Sequence, residues 1–407
     1  MAVHDTGYDL LSPDYIGNAE RIHQDLALGE HRMVAASLYE KPVYIVADMQ
    51  LAKQIFEDGR NFSFTPIGVQ DDDTLTEGAR AFVANGLEST LLAASYDDYT
   101  QTRRLFNQAF KHGFTDRIDE LDRRAKRHVA ELLDGVGPPA IDVVELCRQY
   151  WMPLIASIIG IESLSFDDWS ELAQCARTLV EANGMQGDRE TMERLAQASA
   201  TIDDLIRRVA TSGDVPAQSA LGYFVSELDL QQTIDIARSF ILGGIDTGSS
   251  VLALYSHLLA GDAEQRERFL AMTQQEQQTA VTELASKEAP ALYSPRFALR
   301  DVCVDGVDIP SGSFLQLALY GFNSSANPDF DVSRGTKSAC PMHNNESLPF
   351  GHARHKCPGE MLARHLMPIF LDALFSRYEI VAIQSCHRER NPFARRVDEL
   401  ILAVEIR

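Results

Sequence analysis

Positive charge is in short supply in this sequence. Its 407 residues carry 37 Lys and Arg against 59 Asp and Glu, a formal net charge of −22 with a sequence pI near 4.9. Polyanions are held by clustered cations that displace counterions, so a chain this acidic reads against nucleic-acid binding. Long apolar runs are missing as well. The stretches at 150–161 and 240–260 are short or broken by Asp246, Ser249, Ser250 and His257, so neither is expected to span a bilayer. The first 14 residues hold Asp5, Asp9 and Asp14 and no basic start before an apolar stretch, unlike a secretory leader, so the expected location is cytoplasmic, with no membrane partner. The six cysteines, Cys147, Cys175, Cys303, Cys340, Cys357 and Cys386, form no CxxC pair, which speaks against a disulfide framework or a structural zinc. No Pro-, Gly- or Ser-rich linker divides the chain and no internal repeat stands out.

What is present is an ordinary globular composition, 45% apolar and 24% charged, sufficient for a large core. Residues 97–260 repeat apolar side chains every three or four positions, a helical pattern broken by turns at 135–139 and 212–216. A strand is expected at 42–47, and a hairpin from 302–310 and 314–319 around Pro310-Ser311-Gly312. The acidic 70–73 and the irregular 335–346 read as loops. The fold class is therefore mainly α with a small β-sheet, in one domain over 1–407.

The longest helix is expected to start at Asp229, capped with Gln232, and to stop at Gly261, spanning roughly 46 Å. It contains Gly243-Gly244-Ile245-Asp246-Thr247-Gly248. Each interior glycine costs about 1 kcal/mol relative to Ala, so three in six residues need a reason. Either a flat ligand lies against the backbone beside Asp246 and Thr247, or a second helix packs closely.

Cys357 is set apart by its neighbours. It stands just before a helical pattern at 360–375 and follows Arg354, His355 and Lys356, and both the helix N-terminus and the cations favour a thiolate. A thiolate is a soft metal ligand or a nucleophile. Cys147 and Cys175 fall in helical patterns and read as small buried hydrophobes.

The stretch Phe350-Gly351-His352-Ala353-Arg354-His355-Lys356-Cys357-Pro358-Gly359 resembles the cysteine loop of the cytochrome P450 family, F-G-x-G-x-H-x-C-x-G, with Ala353 in place of the second Gly. Gly243-Gly244-Ile245-Asp246-Thr247 resembles the family's [AG]-G-x-[DE]-T, and Tyr99-Thr100-Gln101-Thr102-Arg103 its H-x-x-x-R. Arg296 resembles the strand Arg that reaches a haem propionate. The likeness runs along nearly the whole chain.

The resemblance implies a soluble bacterial haem-thiolate domain whose long central helix crosses the haem. Cys357 would be the iron ligand of heme b, a thiolate that favours O–O cleavage. Phe350, Gly351 and Gly359 would shape the loop around the sulfur. Arg103, Arg296 and His355, with Tyr99, would meet the propionates, Tyr99 as an uncharged donor. Gly243 and Gly244 would leave room for O2, and Asp246 and Thr247 would order water and deliver protons, Thr247 supplying the catalytic hydroxyl. Electrons would come from NAD(P)H through a ferredoxin reductase and a ferredoxin; the basic face of Arg354, Lys356, Arg364 and His365, joined by Arg104, reads either as the docking patch for that ferredoxin or as an ordinary solvated face.

One family motif is broken. E-x-x-R appears as Glu283-Leu284-Ala285-Ser286, and the loop 327–331 has lost the second Arg as well, which unsettles haem retention. Lys287 lies about 100° around the helix from position 286. The leading expectation is a monooxygenase hydroxylating a small molecule, free or carrier-bound, in secondary metabolism. A haem-thiolate oxidase of another kind (coupling, nitration or peroxide-driven) is the second reading, and a non-catalytic partner protein of the same fold the third.

Overall fold

The computed structural model describes residues 3–38, 41–64, 76, 98–181, 189–326, 328–337, 347–389, 391 and 393–407. The acidic run at 70–73, Asn327 and Cys340 lie outside these residues.

Helices dominate, and the central one runs from Leu230 to Gly261, 32 residues. Its start is set as the sequence suggests: the Asp229 side chain accepts from Gln232 N–H while the Gln232 side chain accepts from Asp229 N–H, satisfying two donors that the first turn leaves open. The helix is buried along most of its length and packs against the helix Val143–Ile159. Arg238, near its start, is anchored by two-pronged pairing with Asp203 of the helix Arg189–Ala210, at 2.7 Å.

Strands are a minority, but they form three sheets among the described residues. The largest takes β1 (His4–Asp9), β2 (Met33–Leu38), β3 (Lys41–Val46), β4 (Phe62–Ser63), β6 (Ser294–Ala298) and β9 (Phe314–Leu317) in the order β1-β2-β3-β9-β6-β4. A second holds β5 (Ala140–Asp142), β10 (Tyr378–Arg388) and β11 (Val397–Ile406), and a third β7 (Val302–Val304) and β8 (Val307–Ile309).

The expected strand at 42–47 is β3, but the expected hairpin at 302–319 is not what forms. β7 and β8 close on Asp305 and Gly306, whose φ values of 52° and 78° are those of a tight two-residue turn between antiparallel strands. Pro310-Ser311-Gly312 instead carries the chain into the large sheet, where β9 runs parallel to β3 and antiparallel to β6. The reason is burial. All four residues of β9 are buried, and a three-strand neighbourhood covers them where a lone hairpin could not.

Apolar burial falls into two clusters, one among the helices around the central helix, the other over the large sheet. The large sheet places Arg296, through β6, opposite Leu315 of β9. The helix Glu360–Arg377 begins three residues after Cys357, with Gly359 at its N-cap.

Candidate functional site

The cysteine loop is built by backbone geometry. Cys357 N–H donates to the Phe350 carbonyl at 2.7 Å and Gly351 N–H to Leu348 at 3.0 Å, folding residues 350–357 back on themselves. Gly351 takes φ 75°, a left-handed conformation open to glycine, and Ala353 takes φ 51°, where a β-carbon is strained. The position where the family pattern carries its second Gly is thus one that still demands Gly-like backbone. Phe350 is half-buried against the helical core.

Cys357 is open to a water-sized sphere, yet burial raises its thiol. The sulfur thus sits deep among protein atoms with open space beside it. The charge of Glu360 works in the same direction as the desolvation, while the Gly359 N–H, then Arg103 and the Glu360 N–H, favour the thiolate. A β-carbon on Gly359 would stand 3.7 Å from the sulfur, in ordinary contact. Burial, and after it the charge of Cys357, also raises the phenol of Tyr255, about two turns beyond Thr247 on the central helix. The cysteine loop and the central helix therefore approach each other.

Four residues that the sequence singled out for one task are brought together. The Tyr99 and His355 rings meet edge to face at 4.9 Å. Arg103, one helical turn after Tyr99, donates to the Lys356 carbonyl at 3.1 Å. Burial lowers His355 to about 3, with the charges of Arg296, Arg354 and Arg103 acting in the same direction. Burial likewise lowers Arg296 to about 10 and raises the Tyr99 phenol. Among the described residues the Tyr99 hydroxyl, which Arg103 approaches, Arg296 Nη2 and His355 Nδ1 are buried with no well-aligned hydrogen-bond partner. Buried polar groups left open in this way are rare and ask for a ligand. Three cations and two neutral donors around one space suit a dianionic group such as the two propionates of a haem, with Cys357 offering the sulfur for its iron. Sequence reasoning placed Arg354 near the sulfur and on a docking face; in the structure its guanidinium lies over the Tyr99 ring at 4.7 Å.

The glycines of the central helix divide between the two readings. At about 100° per residue, Gly243, Thr247 and Ser250 fall within about 60° of one another, and Gly244 and Gly248 lie about 100–140° round the helix from Gly243. A β-carbon on Gly243 would meet nothing within 4 Å. On Gly244 it would press on Ile155 at 3.1 Å, and on Gly248 it would overlap the indole of Trp151, which donates to the Gly244 carbonyl at 2.8 Å. Gly243 has open space beside it, whereas Gly244, expected to share that role, serves close packing with the neighbouring helix. Trp151, unnoticed in the sequence, is what makes Gly248 obligatory.

Thr247 and Ser250 line a cavity of about 220 Å³ with Phe64, Tyr293, Phe393 and Arg396 among its walls. Asp246, beside Thr247, forms an ion pair with Arg396 at 2.8 Å. No sequence motif announced that pair, because 150 residues separate its members.

Where the E-x-x-R arginine is missing, Ser286 is buried, donates to the Thr282 carbonyl at 2.9 Å and lies in hydrogen-bond contact with Ser347 Oγ at 3.0 Å. Glu283 has a partner within the chain, and Lys287 Nζ turns to the Pro328 carbonyl at 3.3 Å. On the expected docking face Lys356 and Arg364 share Glu360, at 2.6 and 3.5 Å, and His365 stands 3.5 Å from Asp122. Its positive charge is partly neutralised within the chain.

The sequence profile described as Cytochrome P450 matches residues 287–396. The chain is 29% identical over 334 residues to cytochrome P450 BJ-3 of Bradyrhizobium diazoefficiens, covering 73% of each. It is 27% identical over 351 residues to 6-deoxyerythronolide B hydroxylase of Saccharopolyspora erythraea, covering 80% of this chain and 74% of that one. Among solved structures, P450BioI in complex with an acyl carrier protein ligated to hexadec-9Z-enoic acid matches with a TM-score of 0.80 at 20% identity, over 96% of this chain and 99% of that one. Among the described residues no helix is long and apolar enough to cross a membrane.

Proposed function

Because the chain belongs to the cytochrome P450 family of haem-thiolate monooxygenases, we propose that it hydroxylates an organic small molecule in secondary metabolism. In this reaction one atom of O2 enters a C–H bond and the other leaves as water, with two electrons and two protons supplied. NAD(P)H is the electron source, through a reductase and a ferredoxin that docks near Lys356 and Arg364. Residues 1–407 act as one haem-thiolate domain on this reading, which the match over 96% of the chain supports.

The observation that carries the reading is the set of buried, open donors on Tyr99, Arg296 and His355, together with Arg103, beside Cys357. When bound, the haem supplies the redox chemistry that activates dioxygen. Cys357 would hold its iron, with the Gly359 and Glu360 N–H groups directed at the sulfur to favour its negative charge. Arg103, Arg296, Tyr99 and His355 would hold the propionates. Gly243 would leave space beside Thr247, whose hydroxyl would hold a proton, with the neighbouring Asp246 carboxyl as the group that passes protons to it.

Purified protein should be coloured, and its reduced carbon monoxide complex should show the red-shifted thiolate band. Cys357→Ala should abolish that band, and Arg296→Leu should lower haem content several-fold. A colourless protein with wild-type stability would instead support the non-catalytic partner reading, which the loss of the E-x-x-R arginine raises.

A further inference from the structure

A phenol offers one donor and no positive charge, so Tyr99 meets an anion well only if its ring is held at the right angle. The ring is buried at the first position of the helix Tyr99–Gly113. Two consecutive residues of the cysteine loop hold it. The His355 ring meets it edge to face at 4.9 Å, and the Arg354 guanidinium lies over it at 4.7 Å, both from the single turn Ala353–His355. Arg354 is half-buried and also interacts elsewhere within the chain, which restrains the guanidinium on the ring. It is therefore part of the wall around the phenol as well as of the basic surface.

We propose that Arg354 is a positioning residue for the haem: by stacking on Tyr99 it fixes the phenol with its hydroxyl toward a propionate, and its charge strengthens that donor. The assignment rests on the haem-thiolate reading above and deepens it, by naming a residue that acts on the haem through another. The physical case has three parts. A cation over an aromatic face is attracted to the ring's electron density, and the attraction grows where water is excluded, as it is around buried Tyr99. Burial raises the phenol, while the charges of Arg103 and then of Arg354 act against that rise, the direction in which an O–H becomes a better donor to an anion. The hydroxyl has no well-aligned partner among the described residues, so the orientation leaves it open to a ligand.

The test uses haem-loaded full-length protein and two readouts: the rate at which haem passes to excess apomyoglobin, and the propionate bending band of the resonance Raman spectrum, which moves with the hydrogen bonds the propionates accept. Arg354→Met keeps a long side chain on the ring without the charge, and Tyr99→Phe keeps the ring without the hydroxyl. Arg354→Met should speed haem release about two- to fivefold and shift the band in the same direction as Tyr99→Phe. Arg354→Lys, which keeps the charge, should restore part of both. In the Tyr99→Phe background Arg354→Met should add nothing to either readout, because no hydroxyl is left to position. A merely structural Arg354 predicts the same loss with and without the hydroxyl and an unmoved band, and either result would overturn the assignment. So would a Tyr99→Phe protein that keeps wild-type release and band. Should Arg354→Met fail to fold, Arg354→Gln carries the same comparison. The carbon monoxide spectrum of the same samples separates the two readings: a normal thiolate band without this coupling sinks only the positioning role, and a missing band sinks the monooxygenase reading.

Discussion

Ala353 holds φ 51° in the cysteine loop, a conformation that costs an L-residue about 1–2 kcal/mol. Replacing it with Gly removes that strain, while the looser unfolded chain takes back about 0.4–1 kcal/mol. Ala353→Gly should therefore raise stability by up to about 1 kcal/mol and leave haem content at least as high, read by denaturant unfolding and by the haem-to-protein absorbance ratio. A loss of stability would mean that the Ala353 methyl makes packing contacts that outweigh the strain. The same residue shows what a sequence can and cannot tell: the substitution was visible in the motif, but whether the loop had relaxed around it was a question of backbone dihedrals.

On the central helix, two glycines five residues apart should respond oppositely to one added methyl. At Gly243 the methyl meets open space, so Gly243→Ala should stabilise the protein by up to about 1 kcal/mol through helix propensity while intruding on the proposed site. At Gly248 it meets the Trp151 indole, so Gly248→Ala should destabilise by about 1–3 kcal/mol as the indole shifts and its hydrogen bond to Gly244 weakens. Thermal unfolding of the two variants checks the pair, and a stabilised Gly248→Ala would refute the packing role. The motif was legible in sequence, as were the Asp229–Gln232 cap and the end at Gly261. Which glycine faced which neighbour was not, since that depends on a partner helix about 90 residues earlier.

At the scale of the whole molecule, the ion network of Glu288, Arg395, Arg388 and Glu20 ties the first helix, Pro13–Leu28, to the end of the helix Gln274–Lys287 and to β10. Burial works against the Glu288 carboxylate, but Arg395 and Arg388 together hold it below its usual 4.5. A carboxylate lowered in the fold stabilises fully above its unfolded value, and that stability is lost as pH falls through the folded value. Wild type should therefore lose stability below about pH 4.5. Glu288→Gln, which leaves buried Arg395 with only the more exposed Glu20 as its anion, should be weaker by up to about 3–5 kcal/mol at pH 7 and should lose less on acidification. Unfolding midpoints of both proteins at pH 7 and pH 4 check this. Equal acid sensitivity would place the loss elsewhere.

Local chemistry by itself determined the helical character of the chain, the capped central helix, the cysteine ahead of a helix N-terminus, and the likeness that pointed to a haem thiolate. These depend on short-range spacing, on which hydrogen bonding within a turn or a loop leaves a clear imprint. Only the tertiary structure decided that β9 enters the large sheet, that Gly244 serves packing while Gly243 borders space, and that Arg396 holds Asp246. Those outcomes rest on which surfaces a distant segment covers and which charge it brings, and burial and pairing between remote residues leave no periodic trace in the order of amino acids.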